Sequence, residues 1–91
     1  MYRASLPMDQ AMLFIFPEER TPGFWMKNMR FPLDIIWIDK HKKIIDIDTD
    51  VPICENNCPA LSPVSAVLYV LEVNAGFCVK NGIQIGMAVD F

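Results

Sequence analysis

The order of apolar and polar positions predicts short strands along most of the chain. Met12-Leu13-Phe14-Ile15-Phe16 is a brief apolar run suited to a buried strand, and it follows a polar opening, residues 1–10, that reads as a loop or a single helical turn. Pro17 to Gly23 carries two prolines and a glycine among charges, the chemistry of a turn. Phe24 to Phe31 alternates, with Phe24, Met26, Asn28 and Arg30 on one side and Trp25, Lys27, Met29 and Phe31 on the other. Pro32 ends that strand or confines it to an edge, because proline donates nothing to a ladder. Leu33 to Asp39 is the strongest strand, rich in β-branched and aromatic residues. Its Leu33, Ile35 and Trp37 share one face, and Asp34, Ile36 and Ile38 the other. After the charged link Lys40-His41-Lys42-Lys43, the segment Ile44–Val51 alternates, which predicts Ile45, Ile47, Thr49 and Val51 inward and Asp46, Asp48 and Asp50 in solvent.

Beyond this hairpin, residues 52–63 hold three prolines and two cysteines and read as a long surface loop, a length usual for functional or mobile segments. Val67 to Val73 is the next strand, with Leu68, Val70 and Glu72 on one face, and Asn74-Ala75-Gly76 turns the chain. Residues 77–82 form either one helical turn closed by Asn81-Gly82 or a type I′ hairpin turn at that pair. A last strand is expected over Met87–Phe91. About six short strands with one or two helical turns predict a mainly β fold, a small barrel or roll, and a single domain over residues 1–91.

Composition narrows the function classes. Hydrophobic residues make up 53% and charged residues 21% of the 91, enough to build a core and too apolar for an intrinsically disordered chain. Eight basic against eleven acidic residues leave a net charge of -3, so the chain lacks the basic excess that a nucleic-acid partner demands. The longest apolar run, Val64–Leu71, is far short of the roughly 20 residues of a transmembrane helix. No secretory leader pattern opens the sequence, and no compartment follows from that.

Three cysteines cannot all pair within one chain. Cys54 and Cys58 form either a disulfide or two free thiols. Their C-x3-C spacing, with no second ligand pair, disfavours a metal site. Cys78, between Phe77 and Val79, reads as a buried, inert thiol. No cofactor motif is present: the four glycines are scattered, and no phosphate-binding loop can be built from them. The single histidine, His41, reads as a surface residue with no nucleophile to serve. The Asp46/Asp48/Asp50 series lacks the glycine and glutamate of a calcium loop.

Two acids stand out. Asp34 shares a face with Ile36 and Ile38, and Glu72 with Leu68 and Val70, so each needs a partner. Lys27 and Arg30 are the nearest bases in sequence to Asp34. Three readings stay open. Trp25, Lys27, Asn28, Asp34, Glu72 and Asn74 could line a polar pocket for a small polar ligand or a peptide end, in a binding or accessory module. Asp34 and Glu72 could divide into acid and base in a hydrolase. Or both could serve structure alone, by bonding backbone amides and Lys27. The absence of a nucleophile motif inclines the reading away from an enzyme.

The segments Met12-Leu13-Phe14, FWMKN at 24–28, PLDII at 32–36, YVLEVNAG at 69–76, Gly82-Ile83 and Gly86 together resemble a bacterial and archaeal family, domain of unknown function 192. The resemblance runs in order through nearly the whole chain. It implies a mainly β fold, frequent export or membrane tethering through upstream segments, hence an envelope location, and no established activity. The chain departs from the family pattern at Ala11 and Met29, where glycine and threonine are expected. It departs again in the central hairpin, where Lys42 or Lys43 replaces a glycine. The family unit also carries a further strand and helical turn before this point. Their lack predicts an open sheet edge, and open edges recruit other chains, here a homo-oligomer with possible strand exchange.

Overall fold

A computed structural model describes residues 11–23, 32–52 and 60–90. Four strands, β1 (Ala11–Arg20), β2 (Leu33–Ile38), β3 (Ile44–Val51) and β4 (Val67–Asn74), form one antiparallel sheet in the order β1-β4-β2-β3, followed by a single-turn helix, α1 (Phe77–Lys80). The fold is mainly β, as expected. The described strands number four rather than about six, and their sheet is open, with β1 and β3 at its edges, rather than a closed barrel. The alternating segment 24–31, the loop cysteines Cys54 and Cys58, and residues 1–10 lie outside the described residues.

β2 is buried along its whole length because it lies between β4 and β3 and is covered on both faces. On one face Ile36, Ile38, Ile44, Leu71 and Val73 pack under Cys78, Ile83 and Val89. On the other, Leu33, Ile35, Trp37, Val67 and Val70 pack with Phe14, Phe16, Ile45, Val51 and Leu61. β1 continues through Pro17 to Arg20, past the expected turn. Its edge position tolerates the proline, and the pairing with β4 jumps from Ile15↔Tyr69 to Arg20↔Val67, so the chain bulges there.

Two further bulges govern β3. Between Leu33↔Val51 and Ile35↔Asp48, residues Thr49 and Asp50 together oppose Asp34, and Asp50 takes a left-handed φ of 51°. Between Trp37↔Asp46 and Ile38↔Ile44, Ile45 is the extra residue. The β2–β3 turn is closed by Asp39, whose Oδ1 accepts the amides of His41 and Lys43 at 2.9 Å each. Lys42 sits at φ 61°, a conformation that suits glycine, which is the residue the family pattern expects in this hairpin.

α1 ends as the helical reading of residues 77–82 expects. Gly82, at φ 64°, donates to the Val79 carbonyl and Ile83 to that of Cys78, the two bonds of a Schellman closure. Ile83 and Cys78 meet in the core beneath it. Met87–Phe91 does not form a strand among the described residues. The segment is tied to the sheet by the Lys43↔Ala88 bridge and the bonds Ile44 N–H to Met87, Gly86 N–H to Ile44 and Val89 N–H to Lys42, and Val89 and Met87 pack on the core there.

Candidate functional site

Asp34 is sealed in the sheet, with no exposed surface. The bulge at Thr49-Asp50 turns the Asp50 amide toward it, and the left-handed entry to α1 at Gly76 (φ 92°) delivers the Cys78 amide. Oδ1 accepts Asp50 N–H at 2.8 Å and Oδ2 accepts Cys78 N–H at 3.0 Å. One carboxylate thus ties β2 to β3 and to the helix that caps this face. The Cys78 thiol lies within the influence of the same carboxylate. Burial and then the Asp34 carboxylate push the thiol up to about 12, so Cys78 is the inert buried thiol expected.

Glu72 is in a different condition. The register sets Asp34 against Val73 and Ile35 against Glu72, so the two acids leave opposite faces of the sheet. They cannot act on one substrate as an acid–base pair, and they do not line one pocket. Glu72 lies in a row that crosses the sheet as Met12, Glu72, Ile35 and Asp48, with its backbone about 10 Å from that of Asp48, two strand spacings away. It is half-buried, and among the described residues it has neither a hydrogen-bond nor an ion-pair partner. Desolvation holds its carboxyl above the usual glutamate range. Asn74 follows two residues on, on the same face, and is exposed. Trp25, Lys27 and Asn28 lie outside the described residues.

The other acids of this face are occupied. Asp48 accepts the Trp37 indole N–H at 2.8 Å. Asp46 accepts the amides of Ile47 at 2.9 Å and Val64 at 3.1 Å. Both are half-buried, which corrects the expectation of a solvated acidic face; only Asp50 of the three is exposed. Sequence reasoning missed these partners because they depend on the bulges in β3. Among the described residues, no three His, Cys, Asp or Glu side chains are grouped to hold a metal ion, and no helix is long and apolar enough to cross a membrane. His41 is exposed, as expected.

Two solved structures share this architecture. A protein of unknown function from Novosphingobium aromaticivorans DSM 12444 is 29% identical, with a TM-score of 0.77 over 94% of this chain and 60% of its own. A proposed transcription regulator from Sinorhizobium meliloti 1021 is 35% identical, with a TM-score of 0.79 over 94% of this chain and 65% of its own. This chain therefore spans a little under two thirds of the solved proteins it matches. No curated protein matches it. The family model for domain of unknown function 192, described as "Uncharacterized ACR", matches residues 1–91, and the chain belongs to that family.

Proposed function

We propose that this chain is a small binding or accessory domain of the cell envelope, and that it presents the sheet face carrying Glu72 to a small polar ligand or a peptide end. The state of Glu72 carries the reading. A half-buried carboxylate that no described residue pairs is desolvated without a protein partner to offset it, and its row neighbours Met12 and Ile35 are apolar. Asp34, by contrast, has both oxygens filled by amides and so serves the fold. The Glu72 acceptor, which the described residues leave open, suits a donor such as an ammonium or an amide N–H, which would form a charge-assisted bond there. Asn74 adds a donor and an acceptor on the same face; the proposal also includes Trp25, Lys27 and Asn28 from the sequence pattern, and these lie outside the described residues. The envelope placement rests on the family resemblance.

The test is a chemical-shift screen of small amines and short peptides with free amino ends, run on the wild type and on Glu72→Gln. The reading expects compounds that shift Glu72 and Asn74 in the wild type and lose that effect in the variant. Hits that bind both proteins equally, or no hit at this face, would overturn it.

The proposal includes a homo-oligomer formed through β1. Among the described strands it is an edge, and its Met12, Leu13 and Ile15 are 55%, 39% and 65% exposed. Light scattering across micromolar concentrations should show self-association that Ile15→Lys abolishes. A wild-type monomer throughout would remove this part.

A further inference from the structure

The Asn81-Gly82 pair takes no part in the proposed pocket. We infer that it is a latent site of spontaneous deamidation, held shut by the closure of α1, and that its modification would loosen the helix from Asp34. Asparagine is among the chemically labile residues. Glycine after it offers the least steric hindrance to ring closure. In that reaction the Gly82 nitrogen attacks Cγ of Asn81, its proton passes to water, and the side-chain nitrogen leaves as ammonia. Water then opens the five-membered imide at either carbonyl, leaving aspartate or isoaspartate at position 81.

Both residues are exposed, so water reaches them freely. The fold nevertheless blocks the attack in three ways. The Asn81 side-chain Nδ2 donates to the Phe77 carbonyl at 2.9 Å, which holds the amide against the helix. The attacking nitrogen of Gly82 is engaged with the Val79 carbonyl at 3.3 Å. Ring closure also requires the Cα–C bond of Asn81 to turn until the Gly82 nitrogen eclipses Cβ, and the observed ψ of 7° is more than a right angle from that arrangement. All three blocks release together when α1 opens, because the Gly82 and Ile83 amides and the Asn81 side chain close the same helical turn.

The product is incompatible with the closure. Aspartate at 81 loses the Nδ2 donor and places a carboxylate beside the Phe77 carbonyl, at the negative end of the helix. Isoaspartate also adds a backbone carbon within the Schellman turn. Either change weakens the element that brings the Cys78 amide to Asp34. Once modified, α1 could not close as before, so the site would act as a one-way record of opening.

The experiment ages the whole chain in mildly alkaline buffer, with and without urea, then digests it with trypsin. Cleavage after Lys80 isolates residues 81–91, in which Asn81 is the sole asparagine, and its one-dalton gain is followed by mass spectrometry. The gain should be at least about tenfold slower in the native chain than in urea, since the folded rate scales with the open fraction. Asp34→Asn, which weakens the anchor on Cys78, should fall between the two, or match the urea rate if it unfolds. Equal native and urea rates, no gain in urea, or an Asp34→Asn rate equal to native would overturn the inference. Asn81→Asp should lower Tm by about 5 °C and speed amide exchange at Cys78 and Ile83. Unchanged exchange would refute the coupling to the helix.

Discussion

Replacing Asp34 tests the central structural claim, because both of its oxygens are committed. Asp34→Ala removes the acceptors of the Asp50 amide at 2.8 Å and the Cys78 amide at 3.0 Å. Water cannot readily replace the Cys78 bond, which is buried, whereas the bond to the exposed Asp50 is only part-buried. The orphaned Cys78 donor costs about 1–3 kcal/mol and the partly hydrated Asp50 donor about 1 kcal/mol, so the loss should be about 2–4 kcal/mol. A domain of this length has about 5–14 kcal/mol in total, so Asp34→Ala should consume a large share of it. Asp34→Asn keeps the shape and one oxygen but turns an NH2 toward the second amide, and should lose about half as much. Urea unfolding followed by tryptophan fluorescence would give the order wild type, Asn, Ala with an unchanged slope. Amide exchange should accelerate at Asp50 and Cys78 before other sites. An Asp34→Ala protein within about 0.5 kcal/mol of the wild type would refute the reasoning, because that is the range of an uninvolved surface change.

Other outcomes follow from the same geometry. Because the folded Glu72 carboxyl titrates above its ordinary value of 4.5, the folded state holds the proton longer; stability should fall as pH rises through and above that value, and Glu72→Gln should flatten this slope and be neutral or stabilising at pH 7 in thermal melts. The Cys78 thiol, pushed from 9.0 to about 12, should resist alkylation in the native chain and react on unfolding; its linkage penalty should be absent below pH 9 and grow toward pH 12, and Cys78→Ala should remove that part of the alkaline loss. Asp48→Ala, which strips the Trp37 indole of its 2.8 Å partner, should cost about 1–2 kcal/mol in urea unfolding, and Asp48→Asn less. Lys42→Gly should raise stability by about 1 kcal/mol, read as a higher Tm, because φ 61° strains a residue with a Cβ.

The strands were legible where residue type and burial agree. β2 and β3 follow from the runs LDIIWI and IIDIDTDV, and the helical end from Asn81-Gly82, because only glycine takes φ 64° there without strain. The sequence alone gives a shorter β1, because Pro17 signals a turn, and only its place at a sheet edge lets the strand run past it. The division of the two acids between faces was not legible. Alternation orders side chains within a strand but says nothing of register between strands, and a slip of one residue between β2 and β4 would have put Asp34 and Glu72 together. The partners of Asp34 were hidden for a related reason. One comes from a bulge 16 residues away and the other from a helix 44 residues away, and neither leaves a mark near Asp34 in the sequence.

The separation of these acids also divides the molecule. On the face beneath α1, a carboxylate replaces part of the ladder that the bulge disrupts, and every contact it makes closes the structure. On the opposite face Asp46 and Asp48 are spent in the same way, on amides and an indole. Glu72 is spent on nothing in the described structure, although it lies on β4, flanked by strands on both sides. A residue suited only to packing at that position would be apolar, as the buried Ile35 beside it is. Among the described residues nothing offsets the desolvation of that carboxylate, and natural proteins carry such costs where a site needs the group. The stability that Glu72 withholds is therefore the physical ground for looking for a ligand on its face and not on that of Asp34.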